Sequence, residues 1–318
     1  MRLLLALVLA AFALPAPAQY PARPVRVLVG FAPGGPNDII ARAYSARLAE
    51  ALGQPFVVEN RTGATGNLAA DAAARAAPDG HTLMLGSTGT NAVNPALYAN
   101  LAFDPVRDLT PVSIVATSPS ALAVHPKVPA QDVRELIALA RSQPGKLTYA
   151  SAGSGSSQHL SAELFKQQAG VDIVHVPYKG AAPGITDLLA GQVDMSFAPV
   201  ANVVSYAKAG KLRLLGVTSL KRSDFAPGTP TIAESGLPGF EVVTWYAVFA
   251  TAGTPAEIVA RLNAELQKIA RSRELKEQLA NLGIDAMASA SPAEARAYRD
   301  AEVEKWGKLV RALGVKAE

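Results

Sequence analysis

The chain has 318 residues, 49% of them hydrophobic and 18% charged, with a formal net charge of +4 and no cysteine. Disulfides, thiolate chemistry, cysteine-held zinc and a lipid anchor on cysteine are thereby excluded, so burial must carry the stability. The basic residues are scattered, with Lys221, Arg222, Arg271 and Arg273 the densest spots, and aromatics make up 6%; nucleic-acid binding calls instead for a concentrated basic stripe with interleaved rings.

Residues 1–18 read as a secretory signal peptide. Arg2 supplies the positive charge, residues 3–14 form an unbroken apolar run, and Ala16 and Ala18 are the small residues before a cleavage site. The run falls short of the roughly 20 residues a membrane span requires. The expected mature protein begins near Gln19 and is periplasmic and soluble. Its length of about 300 residues suffices for two domains.

Residues 25–31 are rich in β-branched side chains and predict a first strand. A turn cluster follows, and a helix begins near Asp38, with Ile39, Ile40, Ala43, Tyr44 and Leu48 on one face and Gly53 as its stop. Strands are predicted at 56–58 and 82–85, with an Ala-rich helix at 67–77 between them. Two more strands, 112–116 and 121–124, flank a break at Thr117, Ser118 and Pro119. The alternation continues with helix 133–141, strand 146–150, helix 157–169, strand 171–176, helix 185–190 and strands 193–197 and 212–218. Residues 241–250 form a long apolar β run, and two helices follow. Strands alternating with helices predict an α/β fold with a mainly parallel sheet. The last two helices carry matching start signals, Thr254, Pro255 and Glu257 in one and Ser291, Pro292 and Glu294 in the other. Each places a hydroxyl at the N-cap, a proline in the first turn and a glutamate that reaches back. No internal repeat or low-complexity linker divides the chain, so two lobes would be joined by crossings within strands.

Three Gly/Ser/Thr-rich turns sit where strands give way to helices. The first holds Pro33, Gly34, Gly35, Asn37 and Asp38, the second Gly86, Ser87, Thr88, Gly89 and Asn91, and the third Ser151, Gly153, Ser154, Gly155, Ser156 and Ser157. Ligands of open α/β sheets bind beyond the carboxyl ends of the strands, where a helix N-terminus offers free N–H groups and partial positive charge to an anion. Any one of these turns is also what an ordinary cap looks like; three together point to an anion site. Residues 60–67, with Gly63 and Gly66, are either a pocket wall or a plain connection. Tyr178 and Lys179 close another strand, and Lys179 either meets a carboxylate or stays in solvent, the commoner fate of lysine.

Enzyme patterns are missing from the sequence. There is no Gly-x-Ser-x-Gly elbow and no phosphate loop. His81, His125, His159 and His175 are dispersed without metal-ligand spacing. Ser156 and His159 form a conceivable pair, but i, i+3 spacing on a helix makes surface neighbours more readily than nucleophile and base. The expectation is no catalytic residue, no metal and no cofactor.

Seven motifs then occur in order: Phe31-Ala32-Pro33-Gly34-Gly35-Pro36-Asn37-Asp38, Val58-Glu59-Asn60-Arg61, Ala77-Pro78-Asp79-Gly80, Gly86-Ser87-Thr88-Gly89, Tyr149-Ala150-Ser151-Ala152-Gly153, His175-Val176-Pro177-Tyr178-Lys179-Gly180 and Ala233-Glu234-Ser235-Gly236-Leu237-Pro238-Gly239. With them the chain resembles, through essentially its whole mature length, the Bug family, the extracytoplasmic receptors of tripartite tricarboxylate transporters. The resemblance implies a type II periplasmic-binding-protein fold, two α/β lobes joined by two hinge crossings near residues 118–122 and 242–245. Residues 19–120 and 244–318 would form lobe 1, and residues 121–243 lobe 2. It also implies two opposing jaws that hold a ligand carboxylate through backbone N–H groups, hydroxyls and ordered water. Phe31, Pro33, Gly34, Gly35, Asn37 and Asp38 would form one jaw, and Ser151, Gly153, Ser154, Gly155, Ser156 and Ser157 the other. Gly63, Ser87, Thr88, Asn91, His159, Tyr178, Lys179 and Ala198 complete the candidate site.

Two departures from the family pattern bear on the ligand. Many relatives place an aspartate where this chain has Ala198, which removes a partner for a ligand ammonium group and favours a plain carboxylate over an amino acid. Ala247 stands where relatives often have glycine, which would narrow or reshape the pocket. The expected function is periplasmic capture of a small organic acid, dicarboxylate or other, by a monomer that docks on the membrane components of such a transporter. Presenting the loaded protein to a membrane sensor kinase is a variant of that role. A secreted serine hydrolase using Ser154 or Ser156 is the alternative from a different class. Aromatic ligands would need more ring-stacking residues than Phe31, Tyr178 and Trp245 offer.

Overall fold

The structure is a computed structural model that describes residues 20–98, 100–153, 156–178 and 180–314. The expected signal segment lies outside the described residues, as do Ser154, Gly155 and Lys179 of the candidate site.

The first lobe is built on β1 (Val25–Val29), β2 (Phe56–Asn60) and β3 (Thr82–Ser87), with β1 paired parallel to both others. The sequence of β1, VRVLV, is nearly all apolar because this central strand is covered on both faces, as parallel sheets are. Val25, Val27, Val29, Leu83 and Leu85 pack with Ile40, Tyr44 and Leu48 of α1 (Pro36–Leu52). The intervening Leu28 and Met84 pack with Ala69, Ala70 and Ala73 of α2 (Asn67–Ala74). The period-2 alternation of a strand thus assigns each side chain to one of two helix layers. Gly53 ends α1 in the left-handed conformation, as its sequence position predicts.

Beyond β3, a single π-helical turn (Gly89–Val93) runs into the short α3 (Asn94–Leu97). The chain then enters β4 (Leu109–Val124), a strand of 16 residues. The predicted break at Thr117, Ser118 and Pro119 is not an end of the strand. It is where β4 changes partners. Leu109 to Pro119 pair antiparallel with β9 (Val243–Thr251), whereas Ser120 to Val124 pair with β7 (Met195–Pro199) and, on the other edge, β8 (Arg213–Val217). Pro119 has no N–H to donate, which reads as a break in sequence but is tolerated where pairing is handed over.

The second lobe's sheet continues through β5 (Thr148–Ser151) and β6 (Val174–Pro177), in the order β6-β5-β7-β4-β8. On one face, α4 (Val133–Ser142) and α5 (Ser157–Ala169) bury Leu136, Leu160 and Phe165 against Leu122, Tyr149 and Phe197. On the other, α6 (Ala181–Leu189) and α7 (Val200–Lys208) close over Ala121, Ala123 and Ala150. The chain returns through Val242 into β9, which pairs with β3 as well as β4. The result is two α/β lobes joined by two crossings, a type II periplasmic-binding-protein fold.

The C-terminal part differs from expectation in two places. Three helices follow β9, α8 (Ala256–Arg271), α9 (Arg273–Ala280) and α10 (Pro292–Leu313), with the two-residue β10 (Asp285–Ala286) added to β4. A single residue, Ser272, separates α8 from α9, so the apolar pattern barely pauses there. Ser291 caps α10 as predicted, its Oγ accepting from the Glu294 N–H at 3.1 Å. Thr254 does not cap α8. Its hydroxyl donates to the Thr251 carbonyl at 2.8 Å, satisfying the preceding turn instead.

Candidate functional site

Between the lobes lies a cleft of about 430 Å³, within the range of small-molecule sites. From the first lobe it is lined by Phe31, Asn37, Thr65, Ser87, Thr88 and Gly89, and further out by Val93, Asn94, Leu97 and Tyr98. Ser156, Ser157 and Leu160 face them from the second lobe, while Val242, Val243, Thr244, Tyr246 and Trp306 form the hinge-side wall. Among the described residues no charged side chain lines it. A somewhat larger cavity of about 480 Å³ on the other flank of the crossings holds Asp224, Glu241, Asp285 and Glu294 against Lys221 and Arg222. Its excess of carboxylates disfavours an anion.

The first jaw owes its shape to a buried carboxylate. Asp38 is 3% exposed and accepts from the Gly34 N–H at 3.0 Å, from Arg42 Nε at 2.9 Å and from Asn60 Nδ2 at 2.9 Å. The Arg42 bond, outweighing burial, holds its carboxyl at about 2, below the usual carboxylate range. Asn60 also donates to the Phe31 carbonyl at 2.9 Å, so the same network places Phe31 at the cleft. Gly34 bends the loop at φ +84, a conformation that favours glycine. Pro33, Gly34, Gly35 and Asp38 therefore shape the loop without lining the cleft; Phe31 and Asn37 are the two of its residues that line it. Asn37 Oδ1 is buried and has no hydrogen-bond partner among the described residues.

The second turn gives Ser87, Thr88 and Gly89 to the cleft, whereas Asn91 stands fully buried behind them and accepts from the Ser87 N–H at 3.2 Å. Thr88 Oγ1 accepts from the Trp245 N–H at 2.8 Å, tying this turn to the hinge strand. The 60–67 connection forms part of the wall, though through Thr65 rather than Gly63. A Cβ on Gly30 would lie 2.4 Å from Gly66 Cα, and this close approach draws the connection onto β1. Ala64 and Thr65 both have positive φ, +45 and +55. The Thr65 carbonyl is held there by Thr90 Oγ1 at 3.1 Å and Asn94 Nδ2 at 3.2 Å, and its hydroxyl meets the Tyr98 hydroxyl at 2.9 Å.

On the opposite jaw, Ser156 caps α5 by accepting from the His159 backbone N–H at 3.3 Å. The Ser156/His159 relation seen in sequence is thus a helix cap. Ser157 exposes the first turn of α5 to the cleft. Behind it, Ser151 Oγ accepts from the Gly153 N–H at 3.1 Å and lies 2.6 Å from His175 Nε2. The His175 ring stacks against both Tyr149 and His159, with centroid separations of 4.8 and 4.2 Å. Burial, with the neighbouring His159 adding to it, pushes His175 down to about 4, so it is neutral at pH 7. Ser151, Gly153 and His159 support the turn from behind. Tyr178 donates to Asp187 at 2.7 Å, and Ala198 is fully buried opposite Ala121 on the face covered by α6 and α7. Neither lines the cleft.

Thr65 lies in the 60–67 segment that its glycines mark in the sequence, whereas Val93, Asn94, Leu97, Tyr98, Leu160 and Trp306 carry no such local mark. Trp306 comes from α10, and its apolar spacing there reads simply as core. Its indole N–H donates to Glu302 Oε2 at 2.9 Å, and so does that of the fully buried Trp245 at 3.0 Å.

Two α/β lobes hinged over a cleft with no charged side chain in its lining among the described residues define a periplasmic solute-binding protein. The chain belongs to the tripartite tricarboxylate transporter receptor family (TctC), whose model matches residues 40–315. That family consists of solute-binding receptors rather than enzymes. A protein from Pseudomonas sp. strain P51 known from the tcbD-tcbE intergenic region is 43% identical, covering 92% of this chain and 86% of its own. Protein BugT of Bordetella pertussis is 37% identical over 93% and 91%. Among solved structures, Rpa4515 of R. palustris with adipate shares 38% identity and a TM-score of 0.74, covering 93% of this chain and 99% of its own. MatC of Rhodopseudomonas palustris with bound malate shares 37% and 0.70, over 92% and 100%. A TctC solute-binding protein from Polaromonas, without ligand, shares 27% identity and a TM-score of 0.84, over 92% and 99%.

Proposed function

We propose that the protein is exported, loses residues 1–18, and captures a small organic carboxylate in the periplasm for delivery to the membrane components of a tripartite transporter. Residues 19–120 and 244–318 form one lobe and residues 121–243 the other. The observation that carries this reading is the convergence of two helix N-termini on one cleft. α1 arrives through Asn37 and α5 through Ser157, each from a different lobe. Both bring unpaired backbone donors and partial positive charge to the same space, an arrangement suited to a carboxylate. Relatives solved with adipate and malate support the ligand class.

The ligand-free Polaromonas structure agrees with this chain better in shape than the two ligand-bound ones, although it is less identical in sequence. Closure then follows by population shift, because contacts to both jaws exist together only when the cleft is shut.

Ser157→Asp tests the reading. An acidic residue in the first turn of α5 stabilises the helix by roughly 0.3–1 kcal/mol while placing like charge where the carboxylate binds. Ligand-induced thermal stabilisation by a panel of mono-, di- and tricarboxylates, roughly 2.7 kcal/mol at a hundredfold excess over Kd in the wild type, is expected to vanish in the variant without loss of apo stability. Undiminished binding would refute the α5 N-terminus as a jaw. Mass spectrometry of the same mixtures checks for turnover, the mark of a hydrolase.

A further inference from the structure

The cleft is two-sided in chemistry, and the second side narrows the ligand. Its carboxylate end is set by Asn37, Ser87, Thr88 and Ser157. Another part of its lining is Trp306, Leu97, Leu160, Val93 and Val242, buried or half-buried apolar side chains of one packed cluster. Trp306 presents carbon only, since its one polar atom is committed to Glu302. Asn94 likewise has no free donor to offer, its amide being used by the Thr65 carbonyl and by Asn67 Oδ1 at 2.7 Å. Tyr246, at the hinge, is buried and its phenol is pushed up to about 12, so the ring stays neutral. With Phe31 and Tyr98, four aromatic rings border the space.

Such a wall is unsuited to a small, highly hydroxylated or tricarboxylic acid. Every polar group turned toward it would lose water without gaining a partner. An apolar cavity of about 150 Å³ already admits benzene, and here about 430 Å³ is available. We infer that the preferred ligand is a carboxylate carrying an apolar, ring-sized body, its carboxylate between the two helix N-termini and its body against Trp306 and Leu97. This deepens the carboxylate-receptor reading and rests on it.

Titration calorimetry of the mature protein with phenylacetate and cyclohexanecarboxylate, set against malate and citrate, separates the two. The ring acids are expected to bind about tenfold more tightly, the factor that burial of roughly 60 Å² of additional apolar surface supplies. Leu97→Asn, at a half-buried position, should remove most of that advantage. Ring acids should also change tryptophan emission in the wild type and in Trp245→Phe, but not in Trp306→Phe. Tighter binding of malate or citrate, or an unchanged ring preference in Leu97→Asn, would overturn this inference and leave the receptor intact. Failure of every carboxylate to bind would overturn the receptor reading itself.

Discussion

The two jaws reach the same geometry by opposite electrostatic routes. In the first, an ionised carboxylate is buried at the loop's centre, and the backbone folds around Asp38 to satisfy it. In the second, a neutral hydroxyl–imidazole pair, Ser151 and His175, is braced by a stack of rings. Neither jaw points a formal charge into the cleft from its described residues. What differs is how each responds when its support is removed or protonated. A charged support is strong and holds to low pH, whereas a buried imidazole is penalised by desolvation once the ring gains a proton.

Removing the carboxylate is the severest way to probe this contrast. Asp38→Ala is expected to lower stability by about 2–3 kcal/mol in a denaturant titration, less than for a fully buried ion pair because the stranded Arg42 can hydrate; its side chain is 53% exposed. Acidification comes next, and it should divide the jaws. His175 has its folded-state value depressed from 6.5 to about 4. The unfolded chain therefore binds the proton more readily, and stability falls as the pH drops from 6.5 towards 4. Asp38, depressed from 3.8 to about 2, retains its contribution throughout that window and loses it only as the pH falls from 3.8 towards 2. Hydrogen exchange at pH 5 against pH 7 should thus show faster opening in β5, β6 and the start of α5, with the 31–38 loop unchanged. Equal loosening of both would break the contrast.

Smaller effects sharpen it. Ser151→Ala leaves the Gly153 N–H without its acceptor and should cost about 1 kcal/mol, abolishing part of the pH dependence along with it. Thr65→Gly is expected to be close to neutral. It relieves a strained positive φ worth about 1 kcal/mol but loosens the unfolded chain by a similar amount. Its signature is a few-fold weaker ligand binding as the Tyr98 contact is lost, read by calorimetry beside an unchanged melting temperature.

The turns that flank the cleft were legible in the sequence because they need unusual residues. Glycine at positive φ, proline in a first turn and a hydroxyl at an N-cap are local requirements, and local requirements leave local patterns. The fold class was legible for the same reason. The apolar wall left no such trace. Leu97, Leu160 and Trp306 satisfy the ordinary spacing of helices packed on a core, and only the packing of α10 across the hinge brings them to one cavity. The shortage of rings noted in the sequence was thus a matter of which rings were counted: Trp245 turns into the core, while Trp306, Tyr98 and Tyr246 join Phe31 at the cleft. Thr254 shows the converse. Its pattern was legible and still misled, because the hydroxyl had a closer carbonyl to satisfy.

At the crossing between the lobes, neither Pro119 nor Pro199, which faces Ser120, can donate to the ladder. One residue takes over. Thr218, fully buried, accepts from the Ser120 N–H at 3.0 Å and gives its own N–H to the Ser120 carbonyl at 2.8 Å, while its carbonyl accepts from Val242 N–H at 2.9 Å. Both connecting strands are therefore threaded on a single axle. The Thr218 hydroxyl and amide hold one crossing and its carbonyl the other, so the two strands share one buried anchor.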